Sequence, residues 1–379
     1  MKRSVLIFLI VMSAILVQGH RENSYYLFGQ FGTQKVCVEI DEYGEVCTAR
    51  YFTPDDKYDH TLEGTISEDN WFELSSYLWD ENKKERIKED HLLVKEIETD
   101  IWEGTWKSKN KETQKVQLKR IVPDLLEHPY KAIIQQYHFT PYSAYRLMKT
   151  NIVKVKKERI TKGAVILNVI DKTSGVESFR IVPNCRNRPQ VDSINTRLIA
   201  DHLHAIDTKY SCVYLNNKGD FQIDYKVNFL NESLISYTVT SHSSCYGGPT
   251  EGITDYQTLS IKSAKNVTLE DLFWFGNHQQ PKLSEGEYQW TQYRYNEFTP
   301  KIIEIMATLF PDKFTDVNTA NCNYLNPRIW NFPKWYLTKN GLHLISTFPL
   351  SSAQCKQVPQ LTIPYGNLKS YETNNYRIK

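Results

Sequence analysis

Two pairs of adjacent carboxylates are the residues of this sequence best suited to acid–base chemistry. Asp55-Asp56 and Glu270-Asp271 could donate and accept protons only if folding placed a pKa-perturbing neighbour beside them. Adjacent carboxylates more commonly cap a helix or stay solvated. The sequence has no Gly-x-Ser-x-Gly, His-Glu-x-x-His, phosphate-binding glycine loop or dinucleotide fingerprint. It therefore predicts no catalytic residues and favours a protein that is not an enzyme.

Histidine and cysteine spacing gives no sign of a metal centre. His202 and His204 lie two positions apart in a predicted helix, so their side chains point to different sides and make a poor metal pair. No Cys-x-x-Cys occurs anywhere in the chain, which disfavours zinc. We predict neither a metal site nor a cofactor.

Seven cysteines indicate disulfides if the protein is exported to an oxidising compartment. Two alternating strands flank an acidic turn, and a three-residue loop at Asp41–Tyr43 would place Cys37 and Cys47 directly opposite each other. A bridge suits a non-hydrogen-bonded pair, whose Cα atoms lie ~4.5 Å apart. We predict a Cys37–Cys47 disulfide. The pairing of the other cysteines stays open, and at least one is unpaired or joins another chain: Cys185, Cys212, Cys245, Cys322 and Cys355.

The first residues have the pattern of a cleavable secretory signal. A basic start, Met1-Lys2-Arg3, precedes an apolar run from Val5 to Val17, and small residues stand at positions 17 and 19. The run is shorter than the ~20 residues that span a bilayer as a helix. The pattern predicts a signal peptide over residues 1–19, a secreted or periplasmic protein, and no permanent membrane span.

Chain length predicts the number of domains, and net charge disfavours one kind of partner. At ~100–200 residues per domain, 379 residues indicate two domains. The formal net charge is +2, and Lys2 and Arg3 account for it, so the exported chain would carry equal numbers of acidic and basic residues. A nucleic-acid partner is therefore not expected.

The first hundred exported residues alternate in the manner of short antiparallel strands. Two Glu-Gly-Thr steps, Glu63–Thr65 and Glu103–Thr105, place glycine inside strands, where it marks a bend or bulge in a curved sheet. The stretch resembles the calycin-like half-barrel modules of bacterial envelope proteins. The matching residues are Tyr51, Leu62, Gly64, Phe72, Leu74, Gly104 and Trp106. The resemblance implies an antiparallel β half-barrel over residues 20–121.

The strand pattern stops at a stretch with three spaced prolines. We predict a linker over residues 122–147 and a second domain over residues 148–379. Apolar residues recur at helical spacing in 190–206 and 299–309, with strand meanders between and after them. The predicted class is α+β, with an antiparallel sheet and two main helices in the second domain.

Four motifs of the second half occur in an order found in one family. They are Ile194-Asn-Thr-Arg, then Cys245-Tyr-Gly-Gly-Pro249, then Asn266-Val-Thr-Leu-Glu-Asp-Leu-Phe273, and last Trp335 to Leu344 leading into Leu361-Thr-Ile-Pro-Tyr-Gly-Asn-Leu368. Together they resemble the C-terminal domain of the RsiV-type family, the lysozyme-sensing anti-sigma factors. Pro249-Thr250 replaces the Ala-His that typically follows the two glycines in that family, so a function relying on this histidine is not implied.

These patterns together predict a non-catalytic envelope protein that binds a cell-wall component or a protein such as lysozyme. The alternative is a cell-wall hydrolase with a site built from scattered carboxylates. The predicted binding residues are Tyr246, Gly247 and Gly248, because paired glycines allow close backbone approach and tyrosine is enriched at interfaces. The same loop could serve only to reverse the chain.

Overall fold

The computed structural model describes residues 23–80, 83, 85–108, 112–122, 127–161, 164–183, 188–214, 217–245, 251–277, 280, 285–314, 322–348, 361–373 and 375–378. The predicted signal peptide lies outside these residues, as do Cys185, Cys355, Tyr246, Gly247 and Gly248. Among the described residues, no helix has the length and apolar character needed to cross a membrane.

The N-terminal part is a closed antiparallel barrel of eight strands, each paired with the next and the last with the first. The strands are β1 (Asn23–Phe31), β2 (Gln34–Tyr43), β3 (Val46–Phe52), β4 (His60–Ile66), β5 (Phe72–Asp80), β6 (Glu85–Glu98), β7 (Ile101–Lys107) and β8 (Gln114–Arg120). The predicted antiparallel β-barrel architecture of this part is confirmed, and the barrel is complete, because β8 pairs with β1 from Leu27↔Arg120 to Phe31↔Val116.

Alternate side chains of these strands fill the barrel interior, as the period of two requires. Two glycines let neighbouring backbones approach closely. A Cβ on Gly64 would lie 1.8 Å from the Glu73 carbonyl oxygen, and one on Gly104 would lie 1.9 Å from the Leu93 carbonyl oxygen. The two Glu-Gly-Thr steps thus place glycine where neighbouring strands approach most closely, and their role in sheet curvature stays a prediction.

The Cys37–Cys47 disulfide prediction is wrong. Both thiols are free and buried, and Cys37 lies opposite Phe52 while Cys47 lies opposite Glu42. The β2–β3 turn is at Gly44-Glu45 rather than at Asp41–Tyr43, so the register differs from the predicted one. As a result Cys37 faces outward and Cys47 packs in the barrel interior, and their side chains are on opposite faces of the sheet.

Two disulfides involve other cysteines. Cys212 and Cys245 are bonded, with 4.5 Å between their Cα atoms. Cys322 is also disulfide-bonded.

Two short helices follow the barrel within the predicted linker, α1 (Lys131–Gln136) and α2 (Pro141–Leu147). Thr140 caps α2 by accepting a hydrogen bond from the Ser143 amide at 3.2 Å. One face of α2 packs on the outside of the barrel, where Tyr142 contacts Phe52 with ring centroids 5.0 Å apart. The two-domain division stays a prediction.

The second part consists of three antiparallel three-stranded sheets and two longer helices. The first sheet is β9 (Ile152–Thr161), β10 (Ala164–Asp171) and β11 (Glu177–Ile181), followed by α3 (Arg188–Ser211) and the two-residue strands β12 (Val213–Tyr214) and β13 (Asn217–Lys218). The second is β14 (Phe221–Leu230), β15 (Leu234–Ser243) and β16 (Glu251–Ser260). Then come α4 (Leu269–Leu272), α5 (Tyr288–Tyr293), a π-helical turn (Arg294–Phe298), α6 (Thr299–Leu309), β17 (Lys334–Leu337), β18 (Gly341–Ile345), β19 (Leu361–Pro364) and α7 (Tyr365–Leu368). The α+β class and the helix predicted over 299–309 are confirmed.

A buried ionic cluster, here called the junction network, connects the barrel to α2 and α3. The Arg146 side chain is fully buried and contacts Asp59 of the barrel, and it also lies 3.2 Å from Asp207 of α3. Tyr142 donates to Asp59 at 2.7 Å. Arg50 pairs with Asp59 and with Glu39, so each buried charge has an opposite partner.

Candidate functional site

A cleft of about 680 Å³ opens at one end of the barrel; we call it the mouth cleft. It lies between the β4–β5 and β6–β7 turns and the strand ends next to them. Its apolar floor contains Tyr25, Phe72 and Trp102, and Ile66 and Ile97 form apolar parts of the rim. A concave apolar site with a few polar groups is the usual form of a ligand-binding pocket.

The three floor aromatics pack edge-on and tilted rather than face to face. The ring centroid of Trp102 lies 4.9 Å from that of Tyr25 and 5.2 Å from that of Phe72. Trp102 and Phe72 are buried, at 1% and 5% exposure, while Tyr25 is half-buried. The floor is therefore held by the barrel core, and Tyr25 is the aromatic that a ligand would contact most.

Tyr25 is also fixed at its polar end. Its hydroxyl donates to Glu42 at 2.9 Å, and the Asn23 side-chain amide donates to the same carboxylate oxygen at 3.0 Å. Burial, followed by this bond to Glu42, raises the pKa of Tyr25 to about 12. At neutral pH the hydroxyl is protonated, so it can position a ligand but is a poor base.

The β6–β7 turn supplies a second polar wall. Asp100 has φ of +66°, in the left-handed region that aspartate tolerates better than most residues. Its amide donates to Glu96 at 2.8 Å, and its carboxylate lies 3.2 Å from the Arg120 guanidinium nitrogen. Asn70, in the β4–β5 turn, has φ of +60°. Two of the non-glycine residues with positive φ thus line this cleft.

Acidic side chains outnumber basic ones around the mouth cleft. Four carboxylates line it, from Glu42, Glu96, Glu98 and Asp100, against two cations, from Lys95 and Arg120. An apolar floor beneath an acidic rim suits a ligand that joins a positive group to an apolar one.

A second groove, of about 400 Å³, lies on the outer face of β2–β5. Its two arginines are already paired, Arg50 with Glu39 at 2.6 Å and Arg86 with Glu63. Because these cations and anions neutralise one another, the outer groove makes a weaker candidate than the mouth cleft.

The carboxylate pairs weighed from the sequence have structural roles. Asp271 and Thr268 form a capping box at the start of α4. Glu270 is buried and lies 2.6 Å from the Arg294 guanidinium. Asp56 accepts a hydrogen bond from the Tyr58 amide at 3.3 Å and pairs with Lys218 at 3.2 Å.

The two histidines of α3 contact different elements. His202 is fully buried between the Val176 carbonyl at 2.9 Å and Arg180 at 3.2 Å, whereas His204 stacks on Phe139. Outside this helix, His242 of β15 lies over Gly252 of β16, where a Cβ would be 2.7 Å from the ring. These histidines are used in packing.

The structure does not place the predicted loop residues Tyr246, Gly247 and Gly248, so their binding role stays a prediction. What it does place is Cys245, which is bonded to Cys212 next to the C-terminal end of α3. The mouth cleft was missed from the sequence because its walls come from seven strands that come together only when the barrel closes. The one local signal was the acidic run Glu96–Asp100 just before Trp102.

No family model and no curated protein matches this sequence. Similar solved structures include a DUF3298 family protein from Pseudomonas aeruginosa PAO1, which is 14% identical with a TM-score of 0.28. Another is a DUF3298 family member from Bacteroides fragilis NCTC 9343, at 12% identity and a TM-score of 0.27. Each match covers 60% of this chain and 95% of the other. At these TM-scores neither structure bears on function, and the RsiV-type resemblance stays a prediction.

Proposed function

We propose that this chain is a non-catalytic binding protein of the cell envelope, secreted or periplasmic, that holds a positively charged ligand in the mouth cleft. The observation that carries the proposal is the combination of an aromatic floor with an excess of carboxylates around it. The disulfide between Cys212 and Cys245 supports an oxidising compartment.

The ligand chemistry favours a cell-wall component. Peptides of the cell wall carry free amines next to apolar side chains, which matches an acidic rim above an apolar floor. A basic protein such as lysozyme would offer the same chemistry through a lysine or arginine side chain. The test below separates the two.

The alternative is a cell-wall hydrolase, since the same cleft contains four carboxylates. Binding and hydrolysis differ in what remains after incubation with purified peptidoglycan. Co-sedimentation without release of soluble fragments is expected for the binding protein, and release of fragments would identify the hydrolase.

The cleft itself is tested with Glu42→Gln, which keeps an acceptor for Asn23 and Tyr25 but removes the charge. We expect Glu42→Gln to raise the Kd of the mouth cleft for its ligand about tenfold, which corresponds to ~1.4 kcal/mol and appears as lower retention. The matched control is Glu103→Gln, which alters a partly exposed β7 carboxylate that pairs with Lys115 and does not line the cleft.

Chemical acetylation of the peptidoglycan amines should lower retention of the unchanged protein to the level of Glu42→Gln. Equal retention on untreated and acetylated material, or equal retention of Glu42→Gln and Glu103→Gln, would contradict the proposal. Saturable binding to lysozyme with no retention on peptidoglycan would assign the cleft to a protein ligand.

A further inference from the structure

A cluster of exposed aromatic rings lies on the second part of the molecule. Tyr288 is 77% exposed, Tyr295 46% and Phe332 39%. Isolated exposed apolar residues are ordinary, but adjacent ones commonly mark a contact surface. Tyr295 and Phe332 are in contact, and Tyr288 lies seven residues before Tyr295 on the same helical segment. We call these three residues the aromatic surface.

The rings of this surface are held in place by their neighbours. Phe332 stacks on Trp290 with centroids 5.1 Å apart and meets Tyr295 edge to face at 5.7 Å. The residue before it, Asn331, is buried and accepts a hydrogen bond from the Thr299 hydroxyl at 2.9 Å. The loop that carries Phe332 is thereby fixed to the start of α6.

A π-helical turn positions the other side of the surface. Residues Tyr288 to Leu309 form one continuous helix in which Arg294–Phe298 make a π turn, and the Thr299 amide bonds back to the Arg294 carbonyl. Such turns inside α-helices occur frequently at functional sites. Here the turn contains both the exposed Tyr295 and the buried Arg294.

The charge beneath the surface is neutralised internally. The Arg294 guanidinium lies 5.1 Å from the Trp290 ring centroid and 4.2 Å from that of Phe298, and it pairs with Glu270 at 2.6 Å. The buried Arg294 charge is therefore not offered to a ligand. The polar neighbours of the rings on the helix are the amides of Gln292 and Asn296, with Asn296 donating to Gln292 at 3.1 Å, and the carboxylates of Glu287 and Glu297.

The size of the surface limits what can bind there. With about 150–250 Å² for each aromatic side chain, the exposed fractions give roughly 250–400 Å² of ring surface. A stable protein–protein interface needs about 800 Å² from each partner. A sugar ring, with an apolar C–H face and hydroxyl groups at its edges, matches a small patch of aromatic rings next to amide and carboxylate groups that accept hydrogen bonds.

We propose that the aromatic surface is a second binding site, distinct from the mouth cleft, which takes a neutral sugar ring of a glycan. It shares no residue with the cleft. The proposal therefore does not depend on what the cleft binds.

The test is calorimetric titration of the full chain with two neutral probes, a β-1,4-linked N-acetylglucosamine tetramer and cellotetraose. We expect saturable binding of at least one. Tyr295→Ala and Phe332→Ala should each weaken it about tenfold or more, and Phe332→Tyr should retain it. Circular dichroism checks that each variant is folded. The matched control is Ile253→Ala on β16, which alters an equally exposed apolar side chain elsewhere.

Three results would overturn the assignment. The first is that neither probe binds saturably. The second is that the unchanged protein and both alanine variants bind with equal affinity. The third is that Glu42→Gln loses binding while Phe332→Ala keeps it. The last result would place the sugar in the mouth cleft instead. If Ile253→Ala weakens probe binding as much as Tyr295→Ala does, the effect is not specific to the aromatic surface.

Discussion

At the scale of single residues, the two free thiols are chemically protected by their surroundings. Burial raises the pKa of Cys37 well above its usual value and that of Cys47 to about 12. Because the thiolate is the reactive form, both should resist alkylation in the folded protein.

We expect iodoacetamide at pH 8 to leave Cys37 and Cys47 unmodified in the native state and to label both after denaturation. Peptide mapping without reductant gives the measurement, and the intact Cys212–Cys245 bridge serves as an internal control. A linked Cys37–Cys47 peptide, or rapid labelling of the folded protein, would show that this arrangement is incorrect.

Two buried histidines should make stability depend on pH. Burial, with Arg180 as a further cause, lowers the pKa of His202 to about 4, and burial lowers that of His343 to about 4. His202 accepts from Arg180 at one ring nitrogen and donates to the Val176 carbonyl at the other, so its neutral form is the one that fits.

The folded-state pKa of each histidine lies below its unfolded value of ~6.5, so the unfolded state binds more protons between these values. Stability is therefore complete above about pH 6.5 and falls as the pH drops towards 4. The expected loss is on the order of 2–3 kcal/mol for each histidine. Urea denaturation at pH 7 and pH 4.5 measures it. In His202→Gln the unfolding free energy should differ less between pH 7 and pH 4.5 than in the unchanged protein. An equal difference in both proteins would refute the role of His202.

At the scale of elements, close strand approach should make one barrel glycine irreplaceable. A Cβ on Gly104 would lie 1.9 Å from a backbone oxygen of β6, and that strand cannot move aside without disturbing its own pairing. We expect Gly104→Ala to destabilise the protein by about 1–3 kcal/mol or more.

The matched control is Gly366→Ala in α7, where nothing lies within 4 Å of the added Cβ. Alanine favours helix over glycine, so this variant should be neutral or up to about 1 kcal/mol more stable. Thermal unfolding compares the two. Equal melting temperatures would mean that the barrel tolerates the extra methyl.

Local patterns predicted many of the elements but not all of their registers. Alternation identified β1 to β4, and helical spacing gave α6 its observed bounds. The β2–β3 turn was placed too early because Asp41–Tyr43 has turn-like composition, whereas Gly44, with φ of +67°, makes the turn. Strand β6 has only a weak alternating pattern, since only Leu92 and Val94 among its residues are fully buried.

At the scale of the whole molecule, the junction network should couple the barrel to the helices that follow it. Arg146 and Asp59 are both buried, and removal of one partner would leave an uncompensated charge. We expect Arg146→Met to cost about 3–5 kcal/mol of unfolding free energy.

The control is Arg197→Met, which breaks a partly exposed pair with Asp201, four residues later on α3, and should cost less than about 0.5 kcal/mol. Chemical denaturation monitored by tryptophan fluorescence measures both. Limited proteolysis of Arg146→Met should also cut faster within residues 122–147. If Arg146→Met loses no more unfolding free energy than Arg197→Met, the junction network does not couple the barrel to the helices.

Neither the closed barrel nor the binding surfaces could be derived from sequence patterns. Closure depends on the pairing of β1 with β8, and Arg146 lies in a stretch whose prolines indicated a linker. The mouth cleft and the aromatic surface each combine residues far apart in the chain, such as Tyr295 and Phe332. Local periodicity carries no information about contacts between residues that are far apart in the chain.

The β1–β8 seam also has a consequence for the order of folding. Seven of the eight strand pairings join neighbours in the chain, but the seam joins Leu27 to Arg120 and Phe31 to Val116, so its loop-closure entropy is the greatest. Pairings distant in sequence form slowly. The meander of hairpins should therefore assemble first as an open sheet, and the seam amides should be the last in the barrel to gain protection from hydrogen exchange during refolding.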